Sequence, residues 1–164
     1  MSESGSPSGD VRIRAVRDRD LEVFFSQQLD PEATRRAAFP ARARDVFMAH
    51  WATSIVTDPT VTVRSVLADG QLAGYVICWE QSGRYWVGYW YGREFWGRGV
   101  ATRALALFLD EVRVRPLHAD PIATNVGSIR VLEKCGFVRC ANLTIDTVDT
   151  EHILLVLSRT SDDT

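Results

Sequence analysis

A glycine-containing turn between a predicted strand and a predicted helix, residues 89–102, carries the side chains and backbone best suited to chemistry. The first N–H groups of a helix have no partner within it and lie at the positive end of its dipole, so phosphate oxygens can bind there. Gly97 and Gly99 lack the Cβ atoms that would hold a ligand off the backbone, and Arg93 and Arg98 add positive charge and forked donors. The turn therefore predicts a pyrophosphate-binding site.

Other phosphate-binding motifs do not fit this turn. It lacks the Gly-Lys-Ser/Thr sequence of a P-loop, and Thr102 stands at the third glycine position of a dinucleotide-binding motif. Because turns of this kind also serve packing alone, the turn by itself does not establish a ligand.

The elements around the turn follow from hydrophobic periodicity. Alternating apolar residues predict six strands, over residues 11–16, 60–67, 72–79, 84–91, 137–145 and 151–157. A further strand over 116–124 is interrupted by Pro121, which favours an irregular or edge strand because proline lacks the ladder N–H.

Helical spacing predicts four helices. Asp18 is expected to cap the first, which ends at Asp30-Pro31, and a polar, arginine-rich stretch leads to a second that ends before Asp58-Pro59. A third follows the glycine turn, and the fourth covers 128–135. Because helices alternate with strands only in the second half, we expect one α/β (α+β) domain with a mixed sheet.

The whole chain has the composition of one globular domain. Its 164 residues include 46% hydrophobic and 24% charged side chains, and the net charge of −2 predicts no binding to nucleic acid or to membranes. Three cysteines without CxxC spacing and three dispersed histidines favour a cytoplasmic protein without a metal site. We expect a domain over 11–158 between a disordered segment, 1–10, and a polar tail, 159–164.

Two blocks resemble motifs of the GNAT N-acetyltransferase superfamily. Val87-Gly88-Tyr89-Trp90 and Trp96-Gly97-Arg98-Gly99-Val100-Ala101-Thr102-Arg103-Ala104-Leu105 resemble motif A, and residues 125–137 (NVGSIRVLEKCGF) resemble motif B. Both look like the branch that includes ribosomal-protein alanine N-acetyltransferases. The resemblance implies the GNAT fold, with a central mixed, mostly antiparallel sheet of six to seven strands flanked by about four helices, and a homodimer as a common assembly.

The resemblance also implies that acetyl-CoA is bound as co-substrate, between the strands at 84–91 and 116–123. Asn125 would contact the pantetheine arm, although it also fits a helix N-cap. Arg130 would approach the 3′-phosphate, although it also fits a solvated helix face. The residues expected to contact the cofactor are Tyr89, Trp90, Tyr91, Arg93, Phe95, Trp96, Gly97, Arg98, Gly99, Val100, Ala101, Thr102, Asn125, Ser128 and Arg130.

The catalytic residues implied by the resemblance are Ser128 and Asp146. Leu132 occupies the position where many relatives carry a tyrosine that protonates the leaving thiolate, and in this branch a serine at the position of Ser128 takes that role. Asp146 lies near the position of a carboxylate base. Ser128 as a packing residue, Asp146 as an exposed charge, and deprotonation through water remain alternatives.

The acceptor implied is a primary amine, of a small molecule or a protein N-terminus. Phe24, Phe25 and Trp86 are expected to line its pocket. Aromatic side chains beside the arginines of the region 35–44 would favour a flat or acidic acceptor, unless those arginines form a solvated face. A non-catalytic CoA-binding regulatory module, or transfer of another acyl group such as succinyl, are the alternative functions.

Overall fold

The computed structural model of the protein describes residues 9–37, 40–145 and 148–158, and in them a seven-stranded mixed sheet carries helices on both faces. In chain order the elements are β1 (Val11–Ala15), α1 (Asp20–Gln28), α2 (Pro31–Ala37), α3 (Arg44–His50), β2 (Thr62–Ala68), β3 (Gln71–Gln81), β4 (Arg84–Tyr91), α4 (Val100–Glu111), β5 (Leu117–Ala119), α5 (Val126–Lys134), β6 (Val138–Ile145) and β7 (Val148–Leu157). A π-helical turn, Trp51–Ile55, continues α3, and a 3-10 turn, Arg93–Phe95, follows β4.

The sheet has the order β1-β2-β3-β4-β5-β7-β6. Strands β4 and β5 run parallel, and the other neighbouring pairs of the described strands run antiparallel. This confirms the predicted single α/β (α+β) domain with a mixed, mostly antiparallel sheet.

The sequence predicts two helices before the strand at residues 60–67, whereas the described part of the structure has three. Helix α2 is the one that was not predicted. Pro31, taken as the end of α1, is the first residue of α2, where a missing N–H costs nothing. The Asp30 carboxylate accepts a hydrogen bond from the Glu32 N–H at 3.0 Å and so caps the new helix. The predicted Asp18 cap is also wrong, because α1 begins at Asp20 after Arg19 without a side-chain cap.

Strand β5 is short and central, so of the two expected alternatives the irregular strand fits and the edge position is wrong. It lies between β4 and β7 and is only three residues long. Pro121 follows the end of the strand, where it interrupts no ladder, and its carbonyl accepts from the Ile153 N–H at 2.9 Å.

The two faces of the sheet bury different cores. On one face Val76 of β3 packs with Leu105 and Phe108 of α4. On the other, Tyr75 packs with an aromatic cluster of α1 and α3, in which the Phe24 and Trp51 ring centres are 5.2 Å apart. Because both faces are covered, the strands at the middle of the sheet are held from both sides.

A buried carboxylate joins β1, α1 and β2. Asp20, 2% exposed, accepts hydrogen bonds from the Arg14 guanidinium at 2.7 and 3.1 Å, from the Arg17 N–H at 2.9 Å and from the Ser65 hydroxyl at 2.7 Å. Burial alone would raise the pKa of Asp20, but these hydrogen bonds and the Arg14 charge lower it to about 2. The ionised carboxylate therefore ties α1 to β1 and β2.

We predict that Asp20→Asn lowers the free energy of unfolding at pH 7 by about 2 kcal/mol, the value of a carboxyl pKa lowered by nearly two units. Because the pKa of Asp20 is lower in the folded state, its ionised carboxylate stabilises the fold at pH values above the unfolded pKa near 3.8. This stabilisation is lost as the pH falls toward 2. Urea denaturation should therefore show a smaller difference between the variant and the wild type at pH 2.5 than at pH 7. Asp10→Asn, at an exposed pair with Arg12, is the control and should change stability little; an equal loss from Asp20→Asn at both pH values would contradict the linkage.

Candidate functional site

The site begins where β4 and β5 separate. In the described sheet these strands pair only at Tyr85 with Leu117 and at Trp86 with His118. Beyond that point β4 continues to Tyr91, while the chain after Ala119 turns toward the N-terminus of α5. The separation leaves a gap between two central strands, with α4 and α5 beside it.

The glycine turn lies at one end of this gap. Gly97 and Gly99 have φ values of 72° and 77°, in the left-handed region that favours glycine. Among the described residues, no backbone partner accepts from the N–H groups of residues 97–102, whereas the Arg103 N–H donates to the Gly99 carbonyl at 3.1 Å. These free donors, at the start of a 12-residue helix, can bind an anion.

A cleft of about 380 Å³ opens over the turn. It is lined by all the residues predicted to contact the cofactor except two: Tyr89, Trp90, Tyr91, Phe95, Trp96, Gly97, Gly99, Val100, Ala101, Thr102, Asn125, Ser128 and Arg130. Sequence reasoning missed six further lining residues: Ala33, Arg36, Ala37, Gly127, Val131 and Lys134. Three of these belong to α2, the helix that was not predicted.

The two predicted residues that do not line this cleft are arginines with other contacts. Arg93 forms an ion pair with Asp30, with Nε 2.9 Å from Oδ2. Arg98 lies over the Phe95 ring and donates to the Glu94 carbonyl at 3.2 Å.

The cations along the cleft come instead from α2 and α5. The Arg36 guanidinium lies 4.4 Å from the centre of the Trp96 ring, and Arg130 and Lys134 of α5 line the same cleft. Positive side chains from two helices therefore line the cleft over the glycine turn.

Two hydroxyl groups meet at the inner end of the cleft. The Tyr89 hydroxyl lies 2.9 Å from the Ser128 hydroxyl and 3.1 Å from the Ser128 carbonyl oxygen, to which only the tyrosine can donate. Burial raises the pKa of Tyr89, so its hydroxyl stays protonated at neutral pH. The Asn125 side chain accepts from the Ser128 N–H at 3.3 Å, so Asn125 caps α5 and also lines the cleft.

A second cleft of about 550 Å³ lies on the other side of these hydroxyl groups. Tyr89, Trp90, Asn125 and Ser128 line both clefts. The ionisable side chains lining the second are Asp58, Glu80, Asp120, Arg42, His50 and His152. Burial raises the pKa of Asp120, and burial with the Arg42 charge lowers the pKa of His50.

The residues predicted to bind the acceptor line neither cleft. Phe24 is 1% exposed in the aromatic cluster, so it cannot contact a ligand there. Phe25 packs edge-on against Phe47 with ring centres 5.5 Å apart, and the Trp86 ring lies 5.3 Å from the His118 ring. Asp146 lies outside the described residues.

Three of the four arginines that favoured an acidic acceptor form local ion pairs, whereas the fourth, Arg42, lines the second cleft. Arg35 and Arg36 form ion pairs with Glu32, and Arg44 forms one with Glu22. The alternative of a solvated helix face therefore describes these pairs better.

Within the described ranges, no group of three or more His, Cys, Asp or Glu side chains is arranged to hold a metal ion. Over the same residues, no helix has both the length and the apolar character needed to cross a membrane.

Comparisons with known proteins converge on one family. Residues 10–138 match the family described as acetyltransferase (GNAT) domain. The probable N-acetyltransferase YjcK of Bacillus subtilis (strain 168) is 31% identical over 85 residues, 47% of this chain and 47% of that protein, so the match spans about half the length of that relative.

Solved structures share the fold at low sequence identity. The spermidine N-acetyltransferase from Vibrio cholerae, in complex with CoA and spermine, has a TM-score of 0.78 and 16% identity over 90% of this chain and 95% of that chain. Mycobacterium smegmatis RimJ, in complex with CoA-disulfide, has a TM-score of 0.74 and 20% identity over 96% and 85%. The aminoglycoside acetyltransferase AAC(6')-Ib, in complex with coenzyme A, has a TM-score of 0.75 and 18% identity over 92% and 95%.

We predict that Tyr89→Phe and Tyr91→Phe differ in stability, although both remove one hydroxyl from β4. The Tyr89 hydroxyl binds Ser128, whereas the buried Tyr91 hydroxyl has no partner among the described residues. Tyr89→Phe should lower the free energy of unfolding by about 1–2 kcal/mol, and Tyr91→Phe should leave it unchanged or raise it. Chemical denaturation of the three proteins measures this, and an equal loss in both variants would contradict it.

Proposed function

The chain belongs to the GNAT acetyltransferase family, and we propose that it transfers an acetyl group from acetyl-CoA directly to a primary amine. The observation that carries this proposal is the junction of two clefts at the Tyr89–Ser128 hydroxyl pair. One cleft fits a donor with phosphate groups, the other fits a small acceptor, and a protonated hydroxyl pair lies where their reacting ends would meet.

The first cleft suits the donor because its anion site is built from backbone. The free N–H groups of residues 97–102 would bind the pyrophosphate, and Arg36, Arg130 and Lys134 would neutralise the remaining phosphate charge. Acetyl-CoA supplies the acetyl group and leaves as the thiol. The gap beside Gly88–Tyr91 leaves β4 backbone open to a ligand, since β5 pairs only with Tyr85 and Trp86.

The hydroxyl pair is suited to protonating the leaving sulfur. The Tyr89 hydroxyl donates its one proton to the Ser128 carbonyl oxygen in this structure; once it turns to the Ser128 hydroxyl instead, the Ser128 proton is free to go to the thiolate. Leu132, at the motif B tyrosine position, is 1% exposed in the core and carries no proton to give. Two hydroxyl groups at the junction favour an enzyme over a binding module.

The acceptor favoured by the second cleft is a small cationic amine. Asp58, Glu80 and Asp120 line this cleft against the single guanidinium of Arg42. Carboxylates attract an ammonium group and repel an acidic acceptor. The structural neighbours named for spermidine and aminoglycoside acetylation act on amines of this class, which supports the proposal.

We predict that Gly97→Val weakens CoA binding at least about tenfold, because a side chain at this turn would hold phosphate off the backbone amides. Gly83→Val is the matched control: Gly83 has φ of 77° in the β3–β4 turn, near the 72° of Gly97, and neither position has an atom within 4 Å of an added Cβ. Both variants thus carry similar backbone strain. Isothermal calorimetry should show lost affinity in Gly97→Val alone; full affinity there, or no binding by the folded wild type, would overturn the donor site.

We predict that Tyr89→Phe and Ser128→Ala each lower kcat about tenfold to 100-fold, as loss of a proton donor to the leaving sulfur would. Tyr85→Phe, on the same strand but outside both clefts, should keep the wild-type rate. Release of CoA thiol is followed with spermidine, ribostamycin and a peptide with a free N-terminal alanine. Faster release with the two cationic small molecules supports the acceptor class, and binding of CoA without release from any amine would favour a regulatory module.

A further inference from the structure

We infer that His152 is the general base that takes the proton from the acceptor amine, and that the Asp120 carboxylate binds the amine in its ammonium form. The inference rests on the proposed transfer to an amine and names the residues of the acceptor side. Neither residue belongs to the two sequence motifs or to the predicted site.

The tautomer of His152 follows from its hydrogen bond. Its Nδ1 lies 2.7 Å from the Asp120 carbonyl oxygen, which can only accept, so Nδ1 carries the hydrogen. In the neutral ring Nε2 then holds a lone pair. Nε2 has no hydrogen-bond partner among the described residues, and the ring lines the acceptor cleft.

Strand pairing brings the pair to the junction of the clefts. Trp86 pairs with His118 at the point where β4 and β5 separate, and Asp120 and Tyr89, which follow on the two diverging chains, both line the acceptor cleft. An antiparallel bridge from Ile122 to His152 places the histidine beside Asp120. The two residues therefore border the same gap as the Tyr89–Ser128 pair, on its acceptor side.

The other charged groups of the cleft lie on different elements. His50 and Arg42 come from α3 and the segment before it, Asp58 follows the π-helical turn, and Glu80 lies near the end of β3. Glu151 precedes His152 on β7 and is exposed. His50 is the alternative base, but no described hydrogen bond fixes its tautomer, and it belongs to the helical wall rather than to the gap between the strands.

In the proposed transfer, His152 and the Ser128–Tyr89 pair move protons, and Asp120 holds the amine. The ammonium group gives one proton to His152 Nε2, and the nitrogen lone pair forms the bond to the acetyl carbon. The carbon–sulfur bond breaks with its electron pair on sulfur, which takes a proton from the Ser128–Tyr89 hydroxyl pair. The second amine proton goes to water as the amide forms. His152 then releases its proton to solvent, and solvent returns a proton to the Ser128–Tyr89 pair.

The test is the pH dependence of kcat/KM for the best amine of the panel, in the wild type and in His152→Asn. The asparagine side chain can still donate to the Asp120 carbonyl but cannot take a proton. With His152 as base, the wild-type kcat/KM reaches a plateau below the pKa of the amine. His152→Asn should be about 100-fold slower at pH 7 and should keep rising toward the pKa of the amine, so that its deficit shrinks at high pH.

The comparisons separate a base from a structural role. His50→Asn should keep the wild-type plateau, and Asp120→Asn should raise KM for the cationic amine at least about tenfold while calorimetry shows unchanged CoA affinity. A deficit in His152→Asn that is equal at all pH values, or a plateau lost in His50→Asn instead, would overturn the inference. No turnover by the wild type would refute the proposed function itself.

A second measurement needs no turnover. In ¹⁵N-labelled protein above the pH of imidazole protonation, the His152 ring nitrogens should show the Nδ1–H tautomer, with Nε2 unprotonated. Addition of the amine acceptor should perturb the Nε2 signal in the wild type and not in Asp120→Asn. The Nε2–H tautomer, or an Nε2 signal indifferent to the amine, would contradict the inference.

Discussion

The separation of β4 and β5 is the constraint on which the site depends. Two neighbouring strands stop pairing in the middle of a sheet, which normally costs backbone hydrogen bonds. The molecule tolerates this because the core of α4 and the aromatic cluster of α1 and α3 hold the β3–β4 side from both faces, while β7 holds β5. The open backbone is the place where, in the proposed reaction, the two ligands would meet.

Much of the fold could be predicted from the sequence because it depends on signals that are local in the chain. The β2–β3 hairpin with its Asp69-Gly70 turn, the glycine turn and the α4 helix each follow from periodicity or turn residues within a few positions. Most of the residues predicted to contact the cofactor line one cleft for the same reason: Tyr89 to Thr102 is one continuous segment, and residues 125–130 at the start of α5 carry the motif B pattern.

The remaining features depend on contacts distant in sequence. A proline such as Pro31 is found both after the end of a helix and at its first residue. Only the hydrogen bond that Asp30 accepts from the Glu32 N–H shows that Pro31 begins α2. Asp120 and His152 are 32 residues apart, and the pairing of β5 with β7 makes them neighbours. Arg35, Arg36 and Arg44 resembled a binding surface because their glutamate partners could not be assigned from the sequence.

At the glycine turn, residues 97–102 offer main-chain N–H groups to an anion, whereas the acceptor cleft is lined by side chains. Most substitutions leave a main-chain N–H donor in place, so anion binding at the glycine turn tolerates side-chain changes except at its two left-handed glycines. Each substitution in the acceptor cleft changes charge or shape directly. The two halves of the site can therefore diverge at different rates during evolution. Substitutions in the acceptor cleft would change which amine is accepted while the acyl donor stays the same.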